Sequence, residues 1–64
     1  MIKVTRLNGE EFVVNAEHIR YLEALPETHI TMSSDHRIVV REPVEEVIER
    51  CIAYARSIRM MSGF

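Results

Sequence analysis

The sequence predicts an α+β fold, in which a small antiparallel sheet of four to five strands carries one C-terminal helix. Up to residue 41, apolar and polar residues alternate in short segments, which is the two-residue period of strands with one buried face. From residue 44 onwards the apolar residues recur at helical spacing. The chain has 64 residues, 47% of them hydrophobic, and a net charge of -2, which predicts one globular domain spanning residues 1–64.

A hairpin is predicted at the start of the chain. Ile2 and Val4 share one face of the first strand, and polar residues take the other. Asn8 and Gly9 follow, and both tolerate the positive φ that a two-residue type I′ turn requires. An extended, β-branched pattern then resumes at Phe12, which completes the hairpin.

A turn, an ambiguous segment and a second hairpin come next. Asn15 can accept a backbone N–H two residues on, which predicts a tight turn or a single helical turn. Residues 19–25 fit a strand or, nearly as well, a helical stripe that Pro26 ends, and we favour a fifth strand. Turn chemistry at residues 34–36 closes the second hairpin. The predicted inward face of the strands comprises Ile2, Val4, Phe12, Val14, Ile30, Met32, Ile38 and Val40.

The only long helix is predicted to open at Pro43, because proline fits the first helical position, where its missing N–H has no partner. Glu45 and Arg59 lie in the first and last turns, where their charges match the helix dipole. Glu49 and Arg50 are expected on the solvent side. The predicted apolar stripe comprises Val44, Val47, Ile48, Cys51, Ile52, Ala55 and Ile58.

Further apolar residues have the opposite parity and are predicted on the outer face of the sheet, which in antiparallel sheets is usually wet. A chain this short is marginally stable alone, and without disulfides self-association is the available means of stabilisation. We therefore expect a homo-oligomer. Helix termination is expected near Gly63, with residues 60–64 either docking on a neighbour or fraying. The interface candidates are Leu7, Val13, Leu22 and Val39.

The sequence contains no cluster that predicts catalysis, a cofactor or a metal site. His18, His29 and His36 match no compact ligand spacing, and each lies at or beside a predicted turn. Cys51 lies on the apolar stripe, where a thiol acts as a small hydrophobe. The carboxylates fit solvated faces better than a buried catalytic pair. We expect no enzyme activity and no cofactor.

Hydropathy and charge argue against membrane insertion and nucleic-acid binding. No apolar run is long enough for membrane insertion, and without a signal-peptide pattern the expected location is cytoplasmic. The net charge of -2 and the 6% aromatic content argue against nucleic-acid binding. The arginines on predicted strands are expected to pair across strands with Glu11, Glu23 and Glu42 instead. They are Arg6, Arg20, Arg37 and Arg41.

Two blocks of sequence are distinctive when taken together. Residues 5–9 read Thr-Arg-Leu-Asn-Gly, and residues 26–31 read Pro-Glu-Thr-His-Ile-Thr. With the surrounding chain from residue 1 to about residue 58, they resemble the FlbD family of flagellar proteins, also called SwrD. Glu27 stands where the family more often has Asp, and residues 34–36 replace a more usual glycine-plus-lysine turn, which indicates a differently shaped loop.

The resemblance implies a small, non-enzymatic, cytoplasmic protein that supports motility and swarming by aiding the stators and hence motor torque. It implies a location near the flagellar base and a motor or stator component as partner. Arg6 has two open interpretations: its guanidinium could bind a carboxylate within the protein or one on the partner. The motif residues with structural or partner roles are Thr5, Arg6, Asn8, Gly9 and Thr28.

A second resemblance covers only about the first dozen residues. Residues 1–6, with Gly9 and Glu10, are similar to the opening of CsrA-type RNA-binding regulators, which are intertwined dimers of five strands and a C-terminal helix. This alternative implies a regulator of flagellar gene expression that binds RNA through Arg6 and Arg41. Its affinity would fall steeply with salt.

Overall fold

The computed structural model describes residues 1–61. It contains two small antiparallel sheets and one α-helix, so the α+β prediction is confirmed. The strands are β1 (Ile2–Thr5), β2 (Glu11–Val14), β3 (Ile19–Ala24), β4 (Thr28–Met32) and β5 (Arg37–Val40), a 3₁₀ turn covers Ala16–His18, and helix α1 covers Val44–Met61.

Strands β1 and β2 form the first hairpin, but their loop is not the predicted type I′ turn. The loop spans residues 7–9, and only Gly9 has a positive φ, +94°. The Arg6 N–H donates to the Glu10 carbonyl (2.8 Å) and closes the loop. Asn8 accepts the Glu10 N–H at its side-chain oxygen (2.9 Å), so it shapes the turn through its side chain and not through a left-handed backbone.

Strands β3, β4 and β5 form an antiparallel meander with β4 in the centre. The ambiguous segment is therefore a strand, as favoured. The Asn15 side chain caps the 3₁₀ turn by accepting the Glu17 N–H (3.1 Å), which confirms the predicted helical turn. The β4–β5 loop repeats the geometry of the first hairpin: the Met32 N–H donates to the His36 carbonyl (2.8 Å), and Asp35 has φ +70°.

The five strands divide between two sheets instead of sharing one. A single isolated bridge within residues 1–61, between Arg6 and Val40, joins β1 to β5. The Arg41 N–H adds a bond to the Thr5 carbonyl (2.8 Å). The pairing goes no further because the chain turns away towards Pro43, which has no N–H to donate.

The core lies between the sheets and the first half of helix α1. Every strand residue in it belongs to the predicted inward face, so that parity is confirmed. Helix α1 contributes the fully buried side chain of Val47 to this core. The buried apolar residues are Ile2, Val4, Val14, Ile30, Val40 and Val47.

Leu22 lies on the core side, so its prediction on the outer face is wrong. The β3–β4 register shifts between Ile19, opposite Met32, and Tyr21, opposite Thr31. This irregularity adds a residue to β3 and reverses the facing of the later residues in that strand. As a result, both Ile19 and Leu22 pack against the core.

The other three predicted interface residues differ in exposure. Leu7 and Val13 are large exposed side chains, whereas Val39 is partly buried. Their role in self-association stays a prediction.

Helix α1 begins one residue later than predicted. It begins at Val44, and Pro43 precedes it as a cap whose carbonyl accepts the Val47 N–H (3.1 Å). The helix continues through Met61. The predicted end at Gly63 and the rest of the tail, residues 62–64, lie outside the described residues.

The buried face of helix α1 is narrower than the predicted stripe. Cys51 and Tyr54 pack against the core beside Val47. Ile48 and Ile52 are exposed instead. Arg50, predicted on the solvent side, is partly buried because its guanidinium turns back towards β1.

Candidate functional site

Two of the motif residues, Thr5 and Thr28, meet at Glu42, just before helix α1. Thr5 donates its backbone N–H to Glu42 Oε1 (2.9 Å) and its hydroxyl to Oε2 (2.8 Å). Thr28 donates its hydroxyl to the Glu42 backbone carbonyl (2.5 Å). One residue therefore ties β1 and β4 to the start of the helix.

Arg50 completes this arrangement from the helix side. Its Nη1 lies 3.4 Å from Glu42 Oε2 and also donates to the Lys3 carbonyl. Its Nη2 donates to the Glu46 carboxylate. The planar guanidinium suits such a set because it offers several donors in fixed directions. We call Thr5, Thr28, Glu42 and Arg50 the Glu42 cluster.

The Glu42 carboxylate is held in its charged form. Its side chain is only 10% exposed, and this burial by itself would raise the pKa. The backbone N–H and hydroxyl of Thr5 and the positive charge of Arg50 outweigh burial, so the pKa of Glu42 lies below its ordinary value. At neutral pH the charged Glu42 side chain therefore links β1 to helix α1 through Thr5 and Arg50.

The other motif residues form the tip of the first hairpin. We define the hairpin tip as residues 6–10 together with Arg41. Arg41 Nε donates to the Leu7 carbonyl (3.0 Å), and its guanidinium lies over Gly9. A β-carbon at Gly9 would lie 3.7 Å from Arg41 Nη2, an ordinary contact, so glycine is needed there for its positive φ.

Arg6 has partners within the protein. Its Nε lies 3.2 Å from Glu10 Oε1, and its Cζ lies 4.2 Å from the centroid of the Phe12 ring. Both charged side chains are exposed, and such a surface pair contributes about 0–1 kcal/mol. The intramolecular interpretation of Arg6 therefore has direct contacts, and contact with a partner stays a prediction.

The hairpin tip presents an exposed apolar side chain beside two cations. Leu7 is 48% exposed, and the guanidinium groups of Arg6 and Arg41 border the same loop. An exposed apolar side chain beside two cations can accept an apolar residue next to a carboxylate. The bonds from Arg41 and Asn8 hold the loop in shape.

The remaining sequence candidates do not join either group. Among residues 1–61, no set of three or more His, Cys, Asp or Glu side chains is placed to hold a metal ion. His29 Nε2 lies 3.0 Å from the Leu25 carbonyl. Burial raises the pKa of the Cys51 thiol. Within the same residues, no helix is both long and apolar enough to cross a membrane.

Arg20 and Arg41 contact groups other than the carboxylates expected across the strands. Arg20 binds Asp35 (2.6 Å) and the Ser33 carbonyl (2.8 Å) at the β4–β5 loop. Arg41 binds the Leu7 carbonyl. The partner of Glu42 is Arg50, from the helix and not from a strand.

Sequence reasoning identified the two threonines but missed Glu42, Arg41 and Arg50 as their supports. One signal was available. Thr28 has the parity of Ile30, so it is a hydroxyl on an apolar face, and such a group needs a buried acceptor. The acceptor, the carbonyl of Glu42, lies 14 positions further along the chain, so no local pattern around Thr28 indicates it.

The fold and these contacts define a class: a small α+β protein in which a buried carboxylate ties two short sheets to one helix. The family model described as flagellar and swarming motility proteins, FlbD, matches residues 1–59 of the 64. The chain therefore belongs to the FlbD family, and the resemblance is confirmed. No curated protein and no solved structure matches it significantly. The CsrA-type RNA-binding alternative receives no support from these comparisons.

Proposed function

We propose that this flagellar and swarming motility protein is a non-enzymatic, cytoplasmic accessory protein that aids the stators and so raises motor torque. It acts through protein–protein contacts near the flagellar base. Membership of the FlbD family supports the motility role. The observation that carries the contact mechanism is the hairpin tip, where Leu7 is exposed on a loop that Arg41 holds in place.

The tip is also coupled to the rest of the molecule. Arg41 reaches the Leu7 carbonyl with its side chain and the Thr5 carbonyl with its N–H. Thr5 in turn binds Glu42, which Arg50 connects to helix α1. A preorganised loop loses little entropy on binding, which favours recognition by a small surface.

The chemistry of the tip indicates the kind of surface it recognises on the motor. Leu7 supplies apolar area, and the guanidinium of Arg41 supplies donors for a carboxylate. Arg6 can exchange its exposed Glu10 partner for a carboxylate on another protein at little cost. We therefore propose an acidic segment with an apolar residue as the target.

The test is complementation of a flagellated strain that lacks the gene. Leu7→Asp places a negative charge at the tip, and we expect loss of swarming and a fall in the stall torque of tethered cells. Leu25→Asp is the matched control, because Leu25 is also an exposed leucine, 62% accessible, on a different hairpin loop. It is expected to restore torque fully.

Three outcomes would contradict the proposal. Normal torque in the deletion strain would remove the motor role. Full torque from Leu7→Asp, at a protein level equal to wild type by immunoblot, would remove the hairpin tip as the contact site. Recovery of the protein outside the cytoplasmic and motor-associated fractions would contradict the proposed location.

A further inference from the structure

Helix α1 carries an exposed apolar face that the Glu42 cluster and the hairpin tip leave unused. Ile48 is 43% exposed and Ile52 is 47% exposed. Ala55 is exposed too and continues the same face at helical spacing. We call Ile48, Ile52 and Ala55 the helix patch. It lies beside the face that Val47 and Cys51 pack against the core.

The charges that border the helix patch are segregated along the helix. Glu45 and Glu49 lie towards its beginning, and Arg56 and Arg59 lie towards its end. All four side chains are exposed. Across the side chains of residues 1–60, the ion pairs of helix α1 use Arg50 and not these four groups.

Local helix physics does not account for this pattern. The helix dipole favours Glu45 and Arg59, but its effect fades within the first and last turns and does not reach Glu49 or Arg56. Neighbours on the helix surface do not explain it either. Glu45 and Glu49 are four residues apart with the same charge, and so repel one another weakly.

We propose that the helix patch binds the helix patch of a second copy of this chain, with the two helices antiparallel. Glu49 and Arg56 lie equally far from the middle of helix α1, on opposite sides. A two-fold axis there places Glu49 of each copy opposite Arg56 of the other, and Glu45 near Arg59. The same axis brings the two Ile52 side chains together at the centre.

Charge complementarity is what identifies the occupant as a second copy. In a parallel pair, the acidic half of one helix would face the acidic half of the other helix, and the two would repel each other. In the antiparallel pair, each of the four charges that border the helix patch faces a residue of opposite charge on the other copy. The isoleucines of both copies are then buried away from water. This inference is independent of the motor role. It also moves the expected self-association from the outer sheet face, with Val13, to the helix.

The first experiment measures association of the full chain by sedimentation equilibrium over a range of concentrations. We expect a monomer–dimer equilibrium that Ile52→Asp weakens more than about tenfold, because the pair would bury two like charges at the axis. Val13→Asp is the matched control, an exposed apolar residue on β2, and it is expected to leave association unchanged. Circular dichroism melting checks that both variants are folded.

The second experiment uses charge reversal. Glu49→Arg alone and Arg56→Glu alone should each weaken association about tenfold, since each change makes two facing pairs repulsive. An equimolar mixture of the two single variants should associate as tightly as wild type, because each copy then meets opposite charges on the other. Added salt should weaken the wild type and the mixture alike.

Several results would overturn the inference. A wild-type chain that stays monomeric up to about 1 mM would exclude any useful pairing. Dissociation by Val13→Asp but not by Ile52→Asp would place the interface on the sheet. Failure of the mixed variants to associate, when both are folded, would exclude the antiparallel arrangement.

Discussion

At the scale of single residues, Glu42 does the most to join distant parts of this chain. It accepts two bonds from Thr5, 37 positions away, and its carbonyl accepts one from Thr28. A largely buried carboxylate is tolerated only when such donors replace its water. The same bonds that make the site stable make it sensitive to protonation.

Acid should therefore weaken this protein through Glu42. The pKa of Glu42 is lowered in the folded state, so its charged form stabilises the fold above the ordinary value of 4.5. That contribution is lost as the pH falls from 4.5 through the lower folded-state pKa. Chemical denaturation at a series of pH values should show the loss.

Glu42→Gln separates this effect from the other carboxylates. The variant should lose about 1–3 kcal/mol of unfolding free energy at neutral pH, because neutral bonds replace charge-assisted ones. Its unfolding free energy should also fall less between pH 4.5 and lower pH. Curves for wild type and variant that stay parallel would show that Glu42 does not titrate as argued.

The identity of Gly9 is set by its backbone conformation. At φ +94°, Gly9→Ala should cost about 1–2 kcal/mol of unfolding free energy, since a β-carbon disfavours this conformation. Gly9→Asn should cost less, because asparagine tolerates positive φ better. Thermal melts compare the two variants. Equal losses would indicate crowding by Arg41 instead of backbone strain.

At the scale of elements, the β1–β2 and β4–β5 hairpins share one loop design with different residues. Gly9 closes the β1–β2 loop, and Asp35 takes the corresponding position in the β4–β5 loop with φ +70°. Asp35 is less suited to this conformation, but Arg20 binds its carboxylate and the neighbouring Ser33 carbonyl. This contact holds the β4–β5 loop in place.

Helix α1 is attached to the sheets by Arg50 as well as by Val47. Arg50→Met keeps an apolar stem but removes the bonds to Lys3, Glu42 and Glu46, so the unfolding free energy should fall by about 1–3 kcal/mol. Arg37→Met is the matched control. Arg37 is exposed on β5 and forms no ion pair among residues 1–61.

The control is expected to change the unfolding free energy by less than about 0.5 kcal/mol. Urea denaturation at low protein concentration measures both variants. Equal small losses would mean that Arg50 is as dispensable as an ordinary surface arginine.

At the scale of the whole molecule, one small core must hold two sheets and a helix together. Within residues 1–61, backbone pairing between the sheets is limited to the Arg6–Val40 bridge and the Arg41–Thr5 bond, so their mutual position depends on the core and on the Glu42 cluster. Helix α1 contributes Val47 to that core, and Cys51 and Tyr54 pack against it. The helix patch remains outside the core and is available to a second copy.

The sequence by itself determined the elements of this protein. The alternation of apolar and polar residues predicted the strands, and Asn15 predicted the helical turn. The helical spacing of Val47, Cys51 and their neighbours predicted the helix. These patterns are local, since each depends on residues only a few positions apart. The two motif blocks likewise sufficed for the family, because they are read directly from the chain.

Only the tertiary structure decided which side chains meet. The β-bulge that turns Leu22 inward arises from pairing with β4, and the reversal of Arg50 towards β1 depends on the carboxylate of Glu42. Thr5 and Glu42 come together only once β1 lies beside the end of β5. Such contacts join residues far apart in the chain, and no periodicity within one segment encodes them.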